Sequence, residues 1–143
     1  MPDVAADPVG AVVALLLADS DVAAMVGTRG FGGELPPVET RQMPRAAFVV
    51  KASGGAPLMA GSFAEADAQR IDVYAYGTTP KQAGDLSNLI ALKLRRVQRQ
   101  VSAGTLIHWV NNAGGYSSGR EPETEWPRAW RSFQVFFALV ALG

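Results

Sequence analysis

The sequence predicts an α+β domain of two layers, an antiparallel or mixed sheet of about four to five strands with two helices packed on one face. Three stretches carry that prediction. Residues 69–76 alternate in polarity, with Ile71, Val73 and Ala75 on one side of the pleat, the period of a strand with one buried face. In residues 79–97, Ala83, Leu86, Ile90, Leu94 and Val97 recur every three or four positions, and Leu89 and Leu92 widen this apolar helical stripe. Residues 128–142 alternate over the longest span, setting Phe133, Val135, Phe137, Leu139 and Ala141 against Ser132, Gln134, Phe136, Ala138 and Val140. Gly77 and Thr78 join the first strand directly to the helix, so the helix is expected to fold back over the sheet.

Composition sets outer bounds. The chain has 143 residues, enough for one domain (1–143) with a core that needs no metal or disulfide staple. It is 48% hydrophobic, which argues against wholesale disorder. Thirteen basic residues balance thirteen acidic ones, so no global field draws the chain to nucleic acid or to an anionic membrane. Zero net charge also offers little electrostatic resistance to self-association. The absence of cysteine removes disulfides, a thiolate nucleophile and zinc-knuckle geometry. No basic region precedes the apolar run at residues 9–18, which is too short to span a bilayer, so a soluble chain without a targeting segment is expected.

In chain order, Asp7 and Pro8 open the first helix as N-cap and first helical residue. Val9, Val12, Val13, Leu16 and Leu17 form its stripe, Asp19-Ser20-Asp21 makes an elbow, and Gly27 stops a short second piece. Residues 28–34 contain Gly30, Gly32 and Gly33. A phosphate loop sits between a strand and a following helix, whereas this stretch follows a helix and leads into Pro36-Pro37. It reads instead as a short extended segment around Phe31, then an exposed proline turn. Residues 45–53 form a strand apolar on both faces and therefore central. Residues 58–68 read as an irregular hairpin or a long loop. Thr79 and Pro80 open the second long helix. Residues 101–104 end it, residues 105–111 make a strand, and residues 112–127 are polar enough to read as a second long loop. The expected order is helix, strand, strand, helix, strand, strand.

Candidate chemistry is sparse. His108, the single histidine, has no sequence-level nucleophile, orienting carboxylate or second ligand, so it reads as structural or interfacial. Glu121, Glu123 and Glu125 share one loop but lack calcium-loop spacing, which leaves a solvated loop or acidic contacts to a basic neighbour. Arg70 and Asp72 sit on the polar side of a strand, either simply outward-facing or bridging a subunit boundary. Lys93, Arg95, Arg96 and Arg99 crowd the end of the long helix, where cations complement the helix dipole. They also suit pairing with acidic residues of an adjacent copy, or lining a surface past which DNA moves. No recognition helix or stacking platform accompanies them. Trp109, Trp126 and Trp130 read as core or interface residues. The residues suggest no catalytic, cofactor or metal site.

The 70–75 stretch Arg-Ile-Asp-Val-Tyr-Ala, with the 79–97 helix behind it, resembles the small tail-terminator or tail-completion proteins of long-tailed bacteriophages and phage-like gene transfer agents. The opening helix ending near Met25-Val26-Gly27, the proline turn before residues 46–53 and the closing apolar strand at 133–142 agree with that resemblance. It covers nearly the whole chain in order of elements, though its motifs are patterns of residue type. It implies a structural virion protein at the head–tail junction, assembled in the bacterial host cytoplasm. Such a protein forms a ring with itself, typically a hexamer, caps the tail tube protein, docks the head-side connector or stopper, and lets DNA pass through its lumen. It implies no membrane partner, cofactor or catalysis. Arg70, Asp72, Lys93, Arg95, Arg96, Arg99, Glu121, Glu123 and Glu125 are the interface candidates. Two rival readings are a neighbouring head-to-tail connector ring, and a small α+β enzyme or ligand-binding protein using His108 and a pocket under the helices.

Overall fold

The computed structural model describes residues 4–54, 66–138 and Val140. Its elements are α1 (Pro8–Ala18), α2 (Ser20–Val26), β1 (Gly30–Gly32), α3 (Pro37–Thr40), β2 (Ala47–Ser53), β3 (Ala66–Tyr76), α4 (Pro80–Arg95), β4 (Gln98–Ser102), β5 (Thr105–Arg120) and β6 (Pro127–Ala138). They build a mixed α+β fold around a six-stranded sheet of order β1-β2-β3-β6-β5-β4. Among the described residues the β1–β2 pair is parallel and the other strand pairs are antiparallel.

The predicted caps form. Asp7 Oδ1 accepts from the Gly10 amide at 3.0 Å, and Asp19 Oδ1 accepts from Asp21 and Val22, starting a new helix at the elbow. Thr79 Oγ1 accepts from Gln82 at 3.1 Å, with Pro80 as the first helical residue of α4. Gly77 makes the β3–α4 turn possible, because a Cβ there would lie 2.7 Å from the Ala83 backbone nitrogen.

One face of the sheet carries the core. Phe48 and Val50 of β2, Ile71, Val73 and Ala75 of β3, Val110 of β5, and Phe133, Val135 and Phe137 of β6 meet Val12 and Leu16 of α1, Val22 and Val26 of α2, and Leu86, Ile90 and Leu94 of α4. Each such side chain contributes roughly 1.5–3 kcal/mol by leaving water. Among the described residues no single helix is long and apolar enough to cross a membrane. The α1–α2 pair together has the length and composition, and it is bent by 89°.

The structure corrects the sequence reading at several points. The sheet has six strands and the described residues contain four helices, against four to five strands and two helices expected. The extended segment around Phe31 is the edge strand β1, and the proline turn contains the helical turn α3. The long helix stops at Arg95, so Arg99 belongs to β4. Residues 101–104, read as the helix end, instead close a hairpin in which Ala103 and Gly104 turn the chain at φ 48° and 80°. Two positive φ values are what a two-residue hairpin turn of matching twist requires. Residues 112–127, read as a loop, are mostly strand, because β5 continues to Arg120 and pairs with β6 down to Arg120↔Pro127. The 58–68 stretch lies outside the described residues up to 65, and Ala66 already belongs to β3. Of the 139–142 end of the last predicted strand, Val140 is described and bridges Ala5.

Candidate assembly interface

Three surfaces collect the charged residues singled out above. The first is the helix-free face of the sheet. The register aligns Lys51 with Asp72, and Asp72 with Ser132. Ser132, fully buried, donates to Asp72 Oδ1 at 2.5 Å, and its Oγ accepts from Arg70 Nε at 3.0 Å. Arg70 and Asp72 are therefore joined through a hydroxyl within one chain. Lys51 Nζ and the Arg128 guanidinium lie 5.3 and 5.0 Å from the Tyr74 ring centroid, with aliphatic stems and cationic heads spread over this face. Toward the β4 end, Trp109 stacks on Phe136 at 4.8 Å between centroids while remaining 46% exposed.

The second surface is the C-terminal half of α4. Lys93 is committed internally, 2.7 Å from Asp21 and 3.4 Å from Asp19. Its hydrogen bond to Asp21 holds its pKa above the ordinary lysine value. Arg95, Arg96 and Arg99 are exposed and have no acidic partner among the described residues. Two shallow grooves flank them. One, of about 390 Å³, is lined by Leu15, Ala18, Asp19, Lys93, Arg96, Val97 and Gln100. The other, of about 290 Å³, lies between α4 and the β5–β6 pair, with Ala91, Leu92 and Phe133 as apolar lining and Asn88, Arg95, Asn112 and Arg131 as polar lining. Arg131 is fixed there by a 3.0 Å hydrogen bond to Ser87 Oγ, by Asn88 Oδ1, and by its position 4.4 Å from the Tyr116 ring centroid. Reading residues 112–127 as a loop hid Tyr116 and Arg131 as neighbours, since strand pairing brings them together.

The third surface is the tip of the β5–β6 hairpin, residues 121–126. It is stiffened by its own backbone, with Glu121 N donating to Trp126 O and Glu125 N to Glu121 O, both at 2.8 Å. Arg120 Nη1 donates to Glu125 O at 2.9 Å. Trp126 meets Tyr76 edge to face. Glu121 Oε2 accepts from Tyr76 Oη at 3.1 Å and lies 3.4 Å from Arg128 Nη1, so it ties the tip to the sheet. Burial and the nearby Glu121 carboxylate push the Tyr76 hydroxyl up to about 12. Glu123 and Glu125 are exposed, and both hold left-handed backbone, at φ 73° and 59°.

No comparable convergence surrounds His108. It sits beside Trp109 in β5 and lines neither of the two grooves described above. Among the described residues no group of three or more His, Cys, Asp or Glu side chains is arranged to hold a metal ion.

No protein-family model matches the chain. No curated protein matches it either. Solved structures do. The chain shares its fold with a chain in the virion of a native gene transfer agent particle, at TM-score 0.65 and 16% identity, over 90% of this chain and 92% of that one. The bacteriophage SPP1 gp17 protein aligns over 90% of this chain and 86% of its own at 19% identity, with a TM-score of 0.46. At the identity of the virion chain, the likeness is one of fold.

Proposed function

We propose that this protein is a structural subunit of a phage-like particle, one that forms a ring on the completed tail tube, stops its elongation and offers the docking surface for the head connector, with DNA passing through the lumen. The observation that carries the reading is the fold shared, over 90% of this chain, with a chain of a gene transfer agent virion. The chemistry of the surface agrees with a role in assembly rather than catalysis. Its charged side chains are spread over a sheet face, a helix end and a hairpin tip, and nucleophile, base and orienting group do not converge in either groove. A closed ring of identical chains requires two different, complementary patches on each subunit, and this chain carries Arg95 and Arg96 at the end of α4 and the exposed carboxylates of Glu123 and Glu125 at the hairpin tip.

The test is a particle assembled without the protein, together with purified chain added to growing tail tubes. Overlong or headless tails in its absence, and tubes capped by a ring when it is added, are the expected results. Filled heads that leak DNA beside tails of normal length would assign the chain to the head-side connector instead and overturn the terminator role.

A further inference from the structure

We propose that the β5–β6 hairpin tip of one copy docks into the Arg95 groove of the next copy in the ring, with one of Glu123 and Glu125 meeting Arg95 there and the other reaching Arg96, which lines the adjoining groove. The inference rests on the ring reading and supplies the contact that closes it. The groove offers a small apolar floor of Ala91, Leu92 and Phe133 under Arg95 and Arg131, and Leu92 is 44% exposed although it lies on the stripe side of the helix. Arg131 is held in place by its own chain, whereas Arg95 and Arg96 make no ion pair among the described residues, Arg96 sharing its groove with Asp19 and Lys93. A planar guanidinium beside an apolar floor suits a carboxylate delivered on a rigid loop, because two parallel hydrogen bonds fix the register.

The tip has the complementary features. Glu121 is consumed in fastening it to Tyr76 and Arg128, while the carboxylates of Glu123 and Glu125 face solvent. Left-handed backbone at a residue other than glycine costs on the order of 1–2 kcal/mol, and strain of this kind persists where the surrounding structure enforces it, often at contact sites. Here it occurs twice in three residues, at the two outward carboxylates.

The occupant is a second copy because the same chain cannot satisfy itself. Gly77 N bonds Pro127 O at the base of the tip, and α4 starts at Pro80, so the helix begins beside the tip and runs away from it. Sixteen helical residues at about 1.5 Å each put Arg95 roughly 24 Å along the axis from that start. Tip and groove therefore lie apart on one subunit, as heterologous head-to-tail contacts require. The overall charge balance of thirteen against thirteen leaves the chain free to pair with itself.

Charge reversal on full-length chains assembled on tail tubes tests the contact. Arg95→Glu with Arg96→Glu, or Glu123→Arg with Glu125→Arg, is expected to weaken ring formation roughly tenfold or more, and all four changes in one chain to restore it. Because the chain has no cysteine, Arg95→Cys with Glu123→Cys gives a second readout independent of charge. Oxidised rings are expected to yield a covalent ladder between subunits. Rings that form normally with either pair reversed and give no ladder overturn this contact and leave the ring reading standing. Wild-type chain that forms no ring on any tube overturns the ring reading, and this contact with it.

Discussion

Ser132 donates its hydroxyl proton to Asp72 Oδ1 at 2.5 Å across the β3–β6 pair, although the helices cover the other face of the sheet. With Arg70 donating to the same Ser132 oxygen, one buried hydroxyl bridges a cation and an anion of the same strand. Ser132→Ala is expected to lower stability by about 1–3 kcal/mol, the cost of leaving polar partners unmatched. In a domain of this size that moves the thermal midpoint down by several degrees. An unchanged midpoint would mean that water replaces the hydroxyl without loss.

The elements with strong periodicity were legible in the sequence, and those imposed by pairing were not. Ile71, Val73 and Ala75 alternate because one face of β3 is buried, and Leu86, Ile90 and Leu94 recur because one stripe of α4 is buried. The second half of β5 has no such pattern. Its Asn112-Ala113-Gly114-Gly115 run is a register irregularity between Asn112↔Phe133 and Tyr116↔Arg131, and its residues become strand because β6 lies alongside. β4 shows the same limit, since Gln98, Arg99, Gln100 and Val101 are all exposed and carry no burial signal. The candidate surface was partly legible for the same reason. Charge marked Arg95 and Glu123 in the sequence, while the groove beside Arg95 takes Asn112, Arg131 and Phe133 from strands whose register places them beside α4.

Tyr76 gives the fold an alkaline edge. Burial, and then the Glu121 carboxylate, raise its hydroxyl from 10.0 to about 12. Between these values the unfolded chain has lost the proton and the folded chain retains it, so stability falls as pH rises through this window. Tyr76→Phe should flatten that decline. Ultraviolet titration of the three tyrosines should show one ionising near 12 in the parent and lost in the variant. The absence of a tyrosine ionising near 12 in the parent would contradict the buried tip contact.

Glu39 gives the opposite edge. Arg45 donates Nε to Oε1 and Nη2 to Oε2, each at 2.8 Å, and this fork holds the Glu39 carboxyl below its ordinary value of 4.5. The sign follows from the lowered pKa. The stabilisation is present above pH 4.5 and is lost as pH falls through the folded-state value. Glu39→Gln should therefore be less stable near neutrality and lose less on acidification, a shallower acid limb in denaturant midpoints measured against pH. Parallel limbs in parent and variant would show that the fork contributes nothing.

Gly115 links the sheet to the proposed contact. It holds φ 76°, and a Cβ there would approach the Trp130 ring to 2.7 Å, so the β5 irregularity admits neither a side chain nor the usual backbone cost. Gly115→Ala should destabilise the chain by roughly 1–3 kcal/mol, combining left-handed strain with displacement of the indole. The effect should also be directional. Trp130 pairs with Tyr74 on one side and Ser117 on the other, so moving it disturbs the strands that carry Tyr116, Arg131 and the 121–126 tip, while α1 and α2 stand apart from it. Hydrogen exchange should then rise in residues 113–131 while amides of α1 stay protected, and ring formation should weaken even at temperatures where the variant remains folded. Uniform loss of protection across the chain would instead mark Gly115 as a general folding position, with no separate hold on the hairpin arm.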